Sequence, residues 1–98
     1  MFTGGEMEKI KVLVKDPGEK PRFLEIYNDL RTLQGIVDGY IEIVTVDDIC
    51  VICNEEGRLR GMQPNITFGG YDFVGTIVMT GHKGDELISF PYGLGGES

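Results

Sequence analysis

The sequence predicts an α+β domain, a curved and mostly antiparallel sheet of about six strands with one short helix packed on it. Three observations carry that reading. Apolar side chains recur at every second position in several short stretches, and at helical spacing in only one. Turn-forming residues separate the stretches by a few positions each, as antiparallel connections do. The 98 residues leave room for one core, because a chain of this size buries roughly two-thirds of its unfolded surface.

The elements follow in order. Residues 1–7 read as a disordered lead-in, 8–91 as the single domain and 92–98 as a flexible glycine-rich tail. Ile10, Val12 and Val14 alternate with Lys9, Lys11 and Lys15, giving a half-buried strand with a lysine-rich outer face. Asp16-Pro17-Gly18 turns the chain, and Arg22 to Tyr27 returns as a hairpin partner. Asn28 or Asp29 caps a helix whose apolar stripe is Leu30, Leu33, Ile36 and Val37, with Gly39 expected at the left-handed C-terminal position. So short a helix must lean on the sheet.

Tyr40 to Val46 and Ile49 to Asn54 read as strands joined by a tight turn at Asp47-Asp48. Asn54-Glu55-Glu56-Gly57 is a turn, and residues 58–70 read as a long irregular connection holding one helical turn at most. The closing strands, Tyr71 to Thr80 and Glu86 to Phe90, flank a loop at Gly81-His82-Lys83-Gly84-Asp85.

Composition narrows the function classes. No apolar run approaches a membrane-spanning helix and the first residues lack a secretory pattern, so a cytoplasmic protein is expected. The net charge is −7, and eight acids lie within residues 23–57 against one base, Arg31. Five of nine bases crowd the first hairpin: Lys9, Lys11, Lys15, Lys20 and Arg22. A field of that sign disfavours direct contact with nucleic-acid phosphates and permits contact with a basic protein surface.

Catalytic and cofactor chemistry lacks an inventory. Cys50 and Cys53 form a C-x-x-C, but in the apolar run Ile49 to Cys53 they fall on opposite faces of a strand. They can neither bridge nor share a metal, and a zinc site needs two further ligands where the chain has one histidine, His82, and no third cysteine. His82 stands in a glycine-flanked loop without a serine or cysteine nucleophile beside it. The carboxylate pairs Asp47-Asp48 and Glu55-Glu56 sit at opposite ends of one strand, roughly 20 Å apart, too far for joint acid–base work. No catalytic residue, metal or cofactor is therefore expected, nor a membrane or direct nucleic-acid partner.

Two groups remain as candidate sites. Asp47, Asp48, Glu55 and Glu56 present an acidic edge to a host protein with a basic surface. Alternatively Asn54, Arg58, Arg60 and Asn65 grip a small anionic, nucleotide-like ligand, the arginines offering fork geometry to phosphate. Exposed sheet edges also admit a homodimer.

Four segments together resemble a known family: KIKVLVKDPGEKP, LRTLQGIVDGYIEIV, ICVICNEEGRLRGMQPN and YDFVGTIVMTG. Their order is similar to that of the domain-of-unknown-function 3846 family across residues 8–90. The blocks LQ-x-IV-x-GYIE and CNEEG-x-x-x-G-x-x-PN are the specific part, with Asp38 standing where that family often has a second glycine. The resemblance implies a bacterial, phage or conjugative-element protein, often near antirestriction genes, hence a host-takeover or anti-defence role. It carries over no catalytic residues. The expectation is a non-enzymatic binding protein of a phage or mobile element.

Overall fold

The computed structural model describes residues 8–93, so the lead-in expected at 1–7 and most of the expected tail lie outside the described residues. Eight strands and one helix follow in the order β1 (Lys9–Lys15), β2 (Arg22–Tyr27), α1 (Leu30–Val37), β3 (Ile41–Val46), β4 (Ile49–Asn54), β5 (Pro64–Phe68), β6 (Tyr71–Val74), β7 (Ile77–Lys83) and β8 (Glu86–Ile88). The large sheet runs β2-β1-β7-β4-β3 with every pair antiparallel. β8 continues the line of β1, pairing with the far end of β7. β5 and β6 form a separate two-stranded sheet. The α+β class stands, with eight strands rather than six and no pronounced curvature.

β4 explains the layering. Its sequence, Ile49-Cys50-Val51-Ile52-Cys53-Asn54, is apolar almost throughout, and all six residues are buried. A strand without a polar face must be covered on both sides. Cys50 and Ile52 join Val12, Val14, Leu33, Val37 and Val78 under the helix. Ile49, Val51 and Cys53 join Leu13, Phe73, Ile77 and Met79 on the other face, where the β5–β6 hairpin covers them. The two cysteines are free thiols in separate core layers. Each fully buried aliphatic side chain contributes about 1.5–3 kcal/mol, so these two layers hold the molecule together.

Helix α1 starts where Asp29 Oδ1 accepts the Thr32 N–H at 2.7 Å. Its end corrects the expectation for Gly39. Asp38 takes the left-handed conformation at φ 64°, and the following Gly39 N–H donates to the Gln34 carbonyl at 3.0 Å. Aspartate is among the few non-glycine residues that adopt this conformation readily.

Three further corrections concern the second half. The connection expected to be irregular over 58–70 contains β5, preceded by a compact turn in which Arg60 N–H bonds the Glu56 carbonyl at 2.9 Å. Only Ile66 and Phe68 alternate there, and Pro64 opens the strand without needing a donor, so the period-two signal is too short to read. The run Tyr71 to Thr80 is two strands. Gly75 at φ 73° breaks it, and the chain leaves the small sheet there for the large one. Finally, β7 extends through Lys83, so the expected five-residue loop shrinks to Gly84-Asp85 and His82 lies half-buried on a strand.

Candidate functional site

The surface facing away from the helix carries a groove of about 490 Å³ between the β3–β4 hairpin and the β6 strand that crosses it. Side chains of a strand alternate between faces, so Ile41 and Ile43 of β3 pack toward the helix while Glu42 and Val44 line the groove. Phe73 and Val74 of β6 form the facing wall. Gly69, at the turn of the β5–β6 hairpin, sits so close to Val46 that an added Cβ would approach its side-chain methyls to 2.6 Å. That contact seats the tip of the small sheet against the end of β3.

Cys53 belongs to the groove lining and is 8% exposed. Burial foremost, then the negative charge of Glu42, pushes its thiol up to about 11, with Arg58 acting weakly the other way. The group stays a neutral thiol near pH 7, a poor nucleophile and metal ligand. The groove's charged lining is acidic: Glu42, Glu55 and Asp72 against Arg58. The Arg58 guanidinium is itself engaged, donating to the Asp72 carbonyl at 2.5 Å. Two apolar side chains stand open beside these acids, Leu59 at 89% exposure and Tyr71 at 51%.

The residues expected to grip an anionic ligand do not converge. Asn54 is buried, donating to the Val37 and Asp38 carbonyls at 3.0 and 2.9 Å and accepting the Glu56 N–H at 2.7 Å. It is a clamp between β4 and the helix end. Arg60 reaches the same helix end, pairing with the Asp38 carboxylate at 3.0 Å and its carbonyl at 2.6 Å. Asn65 lies elsewhere, tying the Lys15 and Gly75 carbonyls together at 2.9 and 2.7 Å. Of the four, only Asn54 and Arg58 touch the groove.

The acidic four divide as their spacing requires. Asp47 and Asp48 form the β3–β4 turn, with Asp47 at φ 55°. Glu55 and Glu56 follow the other end of β4, and the Glu55 N–H donates to the Tyr40 carbonyl at 2.8 Å. His82 Nε2 meets the Asp47 carbonyl at 2.9 Å, and the Tyr92 hydroxyl donates to the Asp48 carboxylate. The Tyr92 ring, half-exposed, stands edge-on to Phe90. Glu42, Leu59, Tyr71 and Asp72 were not legible as site residues. The one available signal was Leu59, a single large apolar residue inside the charged turn Glu55-Glu56-Gly57-Arg58-Leu59-Arg60.

Among the described residues no three histidine, cysteine or acidic side chains gather as a metal site, and no helix is long and apolar enough to cross a membrane.

Fold and groove together define a small α+β domain whose main sheet is enclosed between one helix and one β-hairpin. The family model described as Domain of unknown function (DUF3846) matches residues 10–93, nearly the whole chain, and the chain belongs to that family. Neither a curated protein nor a solved structure matches it.

Proposed function

We propose that this domain is a non-enzymatic binding protein that takes a basic segment of a partner protein at its acidic groove. The observation that supports this most is the lining itself. Three carboxylates, Glu42, Glu55 and Asp72, accompany the exposed Leu59 and Tyr71, and the one cation among them is bonded to a carbonyl. Exposed apolar side chains beside unneutralised charge are a recognised makeup of interaction surfaces. The partner this fits presents lysine or arginine stems that cover Leu59 and Tyr71 while their heads meet the carboxylates. A phage or mobile-element protein acting on a host protein, in an anti-defence role, is the setting the family resemblance favours. The site differs from the four acids read from the sequence: Glu55 remains, Glu42 and Asp72 join it, and Asp47, Asp48 and Glu56 lie outside the lining.

The small-anion alternative has less support, since Asn54, Arg58, Arg60 and Asn65 are each committed to backbone carbonyls. The test is affinity capture from a bacterial lysate at about 50 mM salt, where surface charge is weakly screened. The native chain is compared with a Glu42→Lys, Glu55→Lys double variant. A partner retained by the native chain and lost by the variant supports the reading. The same partners on both, or a nucleotide-sized mass on the natively purified protein, sinks it.

A further inference from the structure

The structure assigns a mode of recognition to that groove: we propose that the partner segment binds as an extended strand, antiparallel or parallel, added to the free edge of β3. The inference rests on the acidic-groove reading and deepens it. β3 is the terminal strand of the large sheet, and β4 is its only partner among the described residues. The pairing register shows which backbone groups are free. Val46 pairs with Ile49 across a two-residue turn, and the Tyr40 carbonyl accepts the Glu55 N–H. In an antiparallel ladder such bonded positions alternate, so residues 40, 42, 44 and 46 bond inward to β4. The N–H and C=O groups of Ile41, Ile43 and Thr45 therefore point away from the sheet.

Sheet edges are ordinarily blunted by lysine, proline, a bulge or a short strand. β3 has no lysine, proline or bulge: its six residues, Ile-Glu-Ile-Val-Thr-Val, pair with β4 in six consecutive register positions without a shift, and Glu42 is its one charge. This edge borders the groove, because Glu42 and Val44 lie on both, and a single acid invites a basic strand rather than an acidic one. An added strand would place alternate side chains beside Glu42 and Val44, and the others beside the half-buried Ile41 and Ile43.

Charge selects the occupant. No lysine or arginine occurs between Arg31 and Arg58. Asp47 and Asp48 close one end of the edge, and Glu55 lies against Tyr40 at the other. A second copy of this chain would set two such acidic edges side by side. A strand alternating basic with β-branched residues puts cations toward Glu42, Glu55 and Asp72 and aliphatic groups toward Ile41 and Ile43. The acidic turn read from the sequence at Asp47 and Asp48 thereby gains a place at one end of the bound strand.

The probe is a fluorescent peptide of about eight residues alternating lysine with valine, long enough to span β3. Its binding to the full chain is followed by anisotropy at low salt. N-methylation of one alternate set of its amides should weaken binding by at least about tenfold, and of the other set hardly at all. Thr45→Pro removes an outward N–H at an exposed edge position and should weaken the unmodified peptide about as much. Equal binding of both methylated peptides overturns strand addition. The groove reading still stands if Glu42→Lys weakens them. No binding of any form to the native chain overturns both. A stable dimer in sedimentation that Thr45→Pro dissociates overturns the choice of occupant, a second copy taking the peptide's place.

Discussion

The two outer strands of the large sheet are finished in opposite ways. β2 and its neighbour β1 carry Lys9, Lys11, Lys15 and Arg22, and the amines of Lys9 and Lys11 lie over the rings of Tyr27 and Phe23 at 5.2 and 4.7 Å. Phe23 meets Phe90 at 6.3 Å, and Phe90 meets Tyr92 at 5.9 Å, so cations and rings cover one another. Arg22 pairs with Asp16 at 2.8 Å, and Asp16 also accepts the Thr76 hydroxyl at 2.6 Å. β3 has no cation and no aromatic side chain, and a groove lies beside it. Both strands end the sheet, but the β2 side carries cations stacked on rings across its face whereas the β3 side carries acids beside a groove. The contrast is one of side-chain chemistry, basic and aromatic at β2, acidic and grooved at β3.

The largest effect that would sharpen the contrast comes from Asn54→Ala. Three backbone groups around the helix end and the start of the 55–62 turn lose a buried partner together. A loss of about 2–4 kcal/mol in urea denaturation is expected, since each orphaned buried group costs about 1–3 kcal/mol and part of the site rehydrates. A loss below about 1 kcal/mol would mean that the β3 side is not anchored through Asn54.

Gly69→Ala comes next. The position has φ 59° and its added methyl meets Val46, so about 1–2 kcal/mol should be lost through backbone strain, with further loss if Val46 cannot move. Because the contact seats the small sheet on β3, faster amide exchange in β5 and β6 than in β1 and β2 is the accompanying signature. Unchanged exchange there would show that the hairpin is held by its apolar face alone.

At the groove, Cys53 should react slowly with iodoacetamide at pH 8 and be modified promptly in urea. Its raised pKa favours the neutral thiol in the folded chain. That contribution is complete below the ordinary thiol value of 9.0 and is lost as pH rises toward about 11. A native chain that alkylates as fast as the denatured one would place the thiol outside the groove's covered lining.

The smallest effects belong to the β2 side. Hydrogen bonds from Thr76 and then Arg22 hold the Asp16 carboxyl below its ordinary value of 3.8. Its stabilising contribution is therefore present above that value and lost as pH falls through the folded-state pKa. Asp16→Asn should flatten the acid limb of the stability curve below about pH 4 and change little at pH 7 beyond the tenths of a kcal/mol an exposed pair contributes. An unchanged acid limb would remove Asp16 from the description of that edge.

Local chemistry was legible in the sequence wherever one residue type dictates a geometry. Asp29 caps the helix because a short carboxylate reaches the Thr32 amide, whatever the helix packs on. Asp47-Asp48 turns the chain because the apolar runs on either side leave two residues between them. The opposite facing of Cys50 and Cys53 followed from strand alternation. β5 stayed hidden because its apolar alternation is two residues long, and Gly75 did not reveal that it divides two strands until each strand's partner was known. The committed roles of Asn54, Arg60 and Asn65 were equally hidden, since their partners lie 10 to 50 residues away in the chain. Charge, class and the helix N-cap were determined by the sequence itself, because they depend on neighbours within a few residues. Only the tertiary structure brought Glu42, Leu59 and Asp72 to one groove and set β3 at the end of the large sheet, because non-local pairing decides which side chains meet and which strand ends the sheet.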